Sequence, residues 1–224
     1  MSYFTKDTIK YFTRLKKNNN REWYDSHRDE LEFNVMEPAR VFVMHMGDHL
    51  LEIAPDIQAI PQIDKSIFRL HRDVRFSKNK APYKTNLGIF LWEGPAKKME
   101  CSGFYIGIEP KLFFVGLGMY MFTPEQIKRF REAVYDPANA EELTKIFKNL
   151  KKKGYKINEP HFKQVPRGFD KEYKYADLLK YNGLYSYYES NNLDELLNSD
   201  QIKFSFKKFK DMLPIHRWLL KNMF

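Results

Sequence analysis

Apolar residues recur along the first fifty positions at helical spacing. Ile9, Phe12 and Leu15 form one stripe behind a cap at Thr5 or Asp7, and the run Asn18-Asn19-Asn20 stops it. From Arg21 a second stripe of Trp23, His27, Leu31 and Val35 leads to Pro38, which predicts a kink or the first turn of a new helix ending near Ile53. After Pro55 and Pro61 the period changes to two, and residues 67–76, 87–93, 103–109 and 111–121 read as strands. Only a few residues around Pro110 separate the third from the fourth, too few for a crossover helix, so the strands are expected to pair antiparallel.

Helical spacing then returns. Thr123 caps a helix with Pro124 and Glu125 in its first turn and Ile127, Phe130 and Val134 inward. Asp136-Pro137 starts another, with Leu143, Ile146, Phe147 and Leu150 as its stripe and Lys151-Lys152-Lys153-Gly154 as its stop. Residues 155–169, with Pro160, Pro166 and Gly168, predict irregular chain. Residues 176–181 predict a short helix and 184–188 an edge strand. Residues 194–197 and 202–224 predict closing helices, the last interrupted by Pro214 and docked through Trp218, Leu219 and Met223. With no repeat, low-complexity tract or linker, the fold class is α+β. It consists of one domain over residues 1–224, an antiparallel sheet of about four to six strands with helices packed on it.

The densest chemistry lies in I-F-R-L-H-R-D-V-R-F-S-K-N-K-A-P-Y-K-T-N-L-G, residues 67–88, where six cations and one Asp fall within sixteen residues. At strand period Phe68, Leu70, Val74 and Phe76 share a core face that only Arg72 interrupts. Arg69, His71, Asp73 and Arg75 share the other. Arg side chains bind phosphate or carboxylate bidentately, so Arg69 and Arg75, oriented by Asp73, are candidate anion ligands. Lys78, Lys80, Tyr83 and Lys84 would close over them as a loop. Glu109, if its strand neighbours this one, is the natural counter-ion or general base, and Arg167 sits in the Pro/Gly-rich segment P-R-G-F-D-K. The alternative is an Arg/Asp ladder that only ties sheet to helices.

These same residues carry a resemblance. R-D-V-R-F-S-K-N-K-x-P-Y-K-T, preceded by N-N-N-R-E-W-Y and followed by F-Y-I-G-I-E-P and P-R-G-F-D-K-E, resembles the bacterial and fungal family catalogued as domain of unknown function 2461, over roughly residues 4–188. The resemblance implies no activity, cofactor or partner. Two departures stand out: Glu172-Tyr173-Lys174 where the family usually reads D-H-P, and Lys111 where a Gly usually follows the I-E-P proline.

Composition narrows the rest. At 43% hydrophobic and 16% aromatic residues a packed core is assured, and the longest apolar run, residues 112–122, is far short of the ~20 that a membrane helix needs. The start M-S-Y-F-T-K-D has no apolar signal-peptide core, and the single Cys101 allows no internal disulfide, so a cytoplasmic location without membrane contact is expected. His45 and His49 are four apart on a helix but lack the Glu of a zinc-protease motif and read as structural. No metal or cofactor is expected. Gly116 and Gly118 lie inside an apolar strand and read as a bulge or close packing rather than a phosphate cradle. Trp23 and His27, one turn apart, read as packing. The net charge of +9 is uneven: residues 65–86, 145–180 and 203–221 together carry +18 and the remainder −9. Three functions fit: binding of a phosphorylated or otherwise anionic small molecule such as a nucleotide or sugar phosphate, a nucleic-acid module aided by Tyr181, Tyr185, Tyr187 and Tyr188, or an interaction scaffold. No reaction follows from spacing alone, because a nucleophile and its base meet in space and not along the chain.

Overall fold

A computed structural model describes residues 2–224. Helices α1 (Lys6–Lys17), α2 (Arg21–Ser26) and α3 (Arg28–Leu31) lead through one wide π-helical turn, Glu32–Met36, into α4 (Glu37–Leu50). Strands β1 (Leu87–Glu93), β2 (Ser102–Glu109) and β3 (Leu112–Met119) follow, then α5 (Pro124–Tyr135), α6 (Pro137–Lys152), β4 (Lys156–Ile157), β5 (Leu184–Ser190), α7 (Asp194–Leu197) and α8 (Gln201–Met223). The five strands form one antiparallel sheet in the order β1-β2-β3-β5-β4, so the fold is α+β. No helix among the described residues is long and apolar enough to cross a membrane.

The caps fall where the sequence puts them. Thr5 and Thr8 close a capping box on α1, Thr123 and Gln126 close another on α5, and Asp136 accepts from the first amides of α6, with Pro124 and Pro137 at positions that need no amide hydrogen. Pro38 stands in the first turn of α4, as its sequence position predicts.

Three expectations are corrected. Residues 67–76 are not a strand: only the stretch around Ile67 pairs with β1, through Phe68 N to Gly88 O (3.0 Å) and Phe90 N to Ser66 O (2.8 Å). Beyond Leu70 the chain turns into a loop, so Leu70 is buried but Phe76, expected in the core, is 95% exposed. The Asp73 carboxylate accepts from the Arg75 amide and starts the turn, which ends the extended run. The second correction concerns β5. It is flanked by β3 and by the two-residue β4, paired through Lys156 with Tyr187 and Ile157 with Ser186, and is therefore not an edge strand. The third is α8, which runs unbroken through Pro214 although that residue supplies no amide to the helix.

The chain divides into two compact units. The first comprises Met1–Leu91, Tyr105–Val115 and Glu189–Lys207, the second Trp92–Phe104, Gly116–Tyr188 and Lys208–Phe224. In the first, Phe4, Phe12, Phe42 and Met46 are fully buried, and Phe113 meets Phe204 at 5.7 Å. The buried Gln201 side chain accepts from the amides of Tyr3 and Phe4 and donates to the Phe4 carbonyl, which ties the N-terminal segment down. In the second, Phe130 packs between Phe122 and Trp218, and Phe104 against Phe209. Arg129 donates to the Met223 carbonyl and Gln126 to that of Glu100.

Gly118, in this second core, has φ of +140°, and a Cβ there would overlap the Leu184 carbonyl oxygen and come within 2.6 Å of Tyr185 Cα. Gly154 also has positive φ but nothing within 4 Å. Gly118→Ala should therefore cost at least about 3 kcal/mol of stability and Gly154→Ala about 1 kcal/mol, the backbone term alone. Urea unfolding of the two variants checks the difference.

Candidate functional site

In the first unit two segments far apart in sequence, N-N-N-R-E-W-Y and H-R-D-V-R-F-S-K-N-K-A-P-Y-K, come together. The three asparagines do three separate jobs. Asn18 ends α1, its amide donating to Arg14 and Leu15 carbonyls, and Asn20 caps α2 by accepting from the Trp23 amide. Between them the Asn19 side chain donates to the Tyr83 carbonyl (2.9 Å) and accepts from the Tyr83 amide (3.0 Å). A carboxamide presents donor and acceptor side by side, so Asn19 pairs with one residue as a neighbouring strand would. Tyr83 also bridges His71.

That clasp sets three rings against one another. Tyr24 stacks on Tyr83 with centroids 3.9 Å apart and planes within 7°, and the His71 ring stands edge-on to both, at 5.4 and 4.9 Å. Burial, then the neighbouring Tyr83, raises the Tyr24 pKa; burial, then Asp25, raises that of Tyr83. Asp25, on the same helix as Tyr24, takes both Arg21 (3.3 Å) and Arg28 (2.8 Å), two well-exposed guanidiniums. The Tyr11 hydroxyl is buried and has no hydrogen-bond partner, and burial pushes its pKa up. Trp23 stacks on His27 at 4.0 Å, with the Arg14 guanidinium over it, which makes both rings packing residues.

The cations of the basic loop divide into two sets. Arg72 turns back to donate to the Ala81 carbonyl (3.0 Å), and Lys80 reaches the carbonyls of Val74 and Arg75 (3.0 and 3.3 Å). Arg75 forks onto Asp73 through Nε and Nη2 (3.0 and 2.7 Å), which holds the Asp73 carboxyl below its usual range. These side chains brace the loop. Lys78 and Phe76 are exposed at its tip.

Arg69 and Lys84 are different. Arg69 lies 3.9 Å from Asp64, the one non-glycine residue with positive φ among those described (+64°). The Lys84 ammonium sits 5.4 Å above the Phe68 ring, half-buried, with no carboxylate in ion-pair range. Burial first and Arg69 second depress its pKa; Asp64 offsets only part of this. Of the residues singled out from sequence, Arg69, Asp73, Arg75, Lys78, Lys80, Tyr83 and Lys84 thus share one loop. Glu109 is exposed at the end of β2, and Arg69 has Asp64 as its carboxylate instead. Arg167 is exposed beside Gly168 and belongs to the second unit.

The second unit holds a constellation that sequence reasoning missed. His216 Nε2 lies 2.6 Å from Glu93 Oε2, and its Nδ1 lies 2.8 Å from Ser102 Oγ. A Ser–His–Glu array is the skeleton of nucleophilic catalysis, but here all three groups are buried, His216 to 1% exposure, under the Phe104 ring. An enclosed serine has no open face for a substrate, so the array is a buried polar network that joins β1, β2 and α8. The signal was present: a histidine in the apolar stretch M-L-P-I-H-R-W-L-L must find partners, although spacing cannot say which. Cys101 is buried, and burial raises its thiol pKa. His45 engages the Tyr3 hydroxyl (2.6 Å), and His49 donates to the His45 carbonyl (2.9 Å).

Asn19→Ala removes both bonds to Tyr83 and should cost about 1–3 kcal/mol. His216→Leu removes the imidazole from the buried Glu93 carboxylate and Ser102 hydroxyl and should cost about 1–3 kcal/mol. Denaturant titrations measure both, and losses near zero would show that the clasp or the network is incidental. Compared with known families, residues 7–218 match the one described as conserved hypothetical protein (DUF2461), and no curated protein matches the chain.

Proposed function

The chain belongs to the DUF2461 family, and we propose that it binds a small phosphate- or carboxylate-bearing molecule on its first unit, beside Arg69 and Lys84. The observation that carries this reading is the unpaired Lys84 ammonium, half-buried next to a guanidinium, with Asp64 the carboxylate at Arg69. A charge held there at a cost, without a matching carboxylate, favours any anion that can reach both cations. Asp64, in a turn closed by its amide donating to the Ile67 carbonyl (2.9 Å), limits Arg69 to one direction of approach. Arg72, Arg75 and Lys80 support the site by keeping the loop in shape rather than by binding.

Binding raises the Lys84 pKa back toward that of an ordinary lysine, because the anion favours its charged form. Affinity should therefore fall as pH rises through the depressed pKa of the free protein, earlier than the ~10.4 of an unperturbed lysine. In the free protein the sign is opposite: between the depressed pKa and ~10.4 the unfolded chain binds more protons, so stability gains with pH.

Calorimetric titration with inorganic phosphate, pyrophosphate, nucleotides and sugar phosphates, backed by thermal shift, tests the proposal. Lys84→Met should weaken the best ligand at least about tenfold, the magnitude of a lost charge-assisted bond, without lowering the melting temperature. Lys84→Arg should keep affinity at alkaline pH. Equal binding by wild type and Lys84→Met, or no binding by wild type, overturns the reading.

A further inference from the structure

Side chains alternate along β5. Leu184 and Ser186 are buried, and Tyr185 and Tyr187 are half-exposed on the opposite face. Tyr120, just past β3, is 68% exposed, and its ring lies 5.7 Å from that of Tyr185 with a 34° tilt. Tyr187 continues the row at 5.9 Å and 39°. Lys156, exposed on β4, is the cross-strand partner of Tyr187 and so extends the same face past the third ring. Beneath the row β3 is bare: Gly116 and Gly118 precede Tyr120 at strand spacing, and Gly118 brings the backbone close under Tyr185.

Most of the chain's net charge lies in the unit that carries this row. The second unit holds 20 Lys and Arg against 12 Asp and Glu, a net +8 of the chain's +9. A polyanion is drawn to that unit before any specific contact forms.

We propose that this face of the second unit binds single-stranded nucleic acid, with successive bases stacked on Tyr120, Tyr185 and Tyr187 and the phosphates held near Lys156. The row supplies ring planes for bases and the unit supplies charge for phosphates, the two components of such sites. Ring spacings of 5.7 and 5.9 Å exceed the ~3.4 Å rise per nucleotide of a stacked strand and so suit bases splayed apart. A duplex keeps its base faces hidden, and an acidic peptide offers charge without planar partners. The proposal rests on other residues than the Lys84 reading and stands or falls separately.

Fluorescence anisotropy with labelled 12-nucleotide oligo-dT and oligo-U, against a duplex of the same length, is the test. At 50 mM salt the single strands should bind at least tenfold tighter than the duplex and weaken several-fold by 200 mM. Tyr120→Ala and Tyr187→Ala should each lose about tenfold, Tyr187→Phe should retain affinity, and Phe76→Ala on the other unit should change nothing. Circular dichroism confirms that each variant is folded, and the exposed Tyr120 is the substitution the fold tolerates best. Absence of binding at 50 mM salt, equal affinity for the duplex, or full affinity in the folded alanine variants each overturns the proposal. The last two would reduce the positive charge to a nonspecific attraction.

Discussion

The side-chain amide of Asn19 closes on the backbone of Tyr83, and that pair of hydrogen bonds ties the basic loop of the first unit to the turn between α1 and α2. The segment from Leu70 to Lys84 is too rich in cations and turn residues to pair as a regular strand. It is held instead at a few points: Arg72 N to Pro82 O and Lys84 N to Leu70 O at its neck, Asp73 and Lys80 in its bend, and Asn19 from outside. Because Asn19 lies between a helix end and a helix cap, α1 and α2 fix its position. The clasp passes this rigidity to Tyr83, and the Tyr24–Tyr83 stack and the placing of Lys84 follow from it. A flexible loop would let Lys84 swing into water. Keeping its ammonium half-buried, beside Arg69, is what depresses its pKa.

The helices and β1 to β3 were legible because their signals are local. A capping Thr with Pro behind it, or an apolar run bounded by Gly and Pro, names its element without help from the rest of the chain. Residues 67–76 misled because the alternation there is real, yet alternation requires a partner strand to become structure, and the loop's own side chains supplied a competing set of hydrogen bonds. The interruption at Arg72 was the residue to weigh: it turns inward to the Ala81 carbonyl rather than joining either face. In the same way β4 is only two residues long and carries no periodicity to read, so β5 looked like an edge.

The candidate site was half legible. Counting cations found the loop but could not separate the side chains that brace it from Arg69 and Lys84. Arg75 and Lys80 have the same composition signal as Arg69 and Lys84, and only coordinates show that the first two spend their charge on Asp73 and on backbone carbonyls. Tyr24 and Asn19 were invisible as site residues because their partner, Tyr83, is about sixty positions away; the stretch N-N-N-R-E-W-Y signalled them only through the family resemblance. His216 is further still from its partners, 114 positions from Ser102 and 123 from Glu93, and a triad assembled from β1, β2 and α8 leaves no mark on spacing.

Charge placement separates what each unit can do. The first unit has nearly as many acids as bases, so the field of its Arg69 and Lys84 is short-ranged. Screening at physiological ionic strength, with a Debye length of about 8 Å, leaves little long-range attraction from a nearly neutral unit. The second unit carries most of the net charge, spread along α5, α6, the loop after it and the end of α8. A diffuse field of that kind attracts an extended polyanion and gives no preference among small ones. The dense motif that dominates the sequence thus lies in a nearly neutral unit, and the cations of residues 145–180 lie in the unit that carries most of the net charge. Composition sums the two into one value of +9, and the structure separates them.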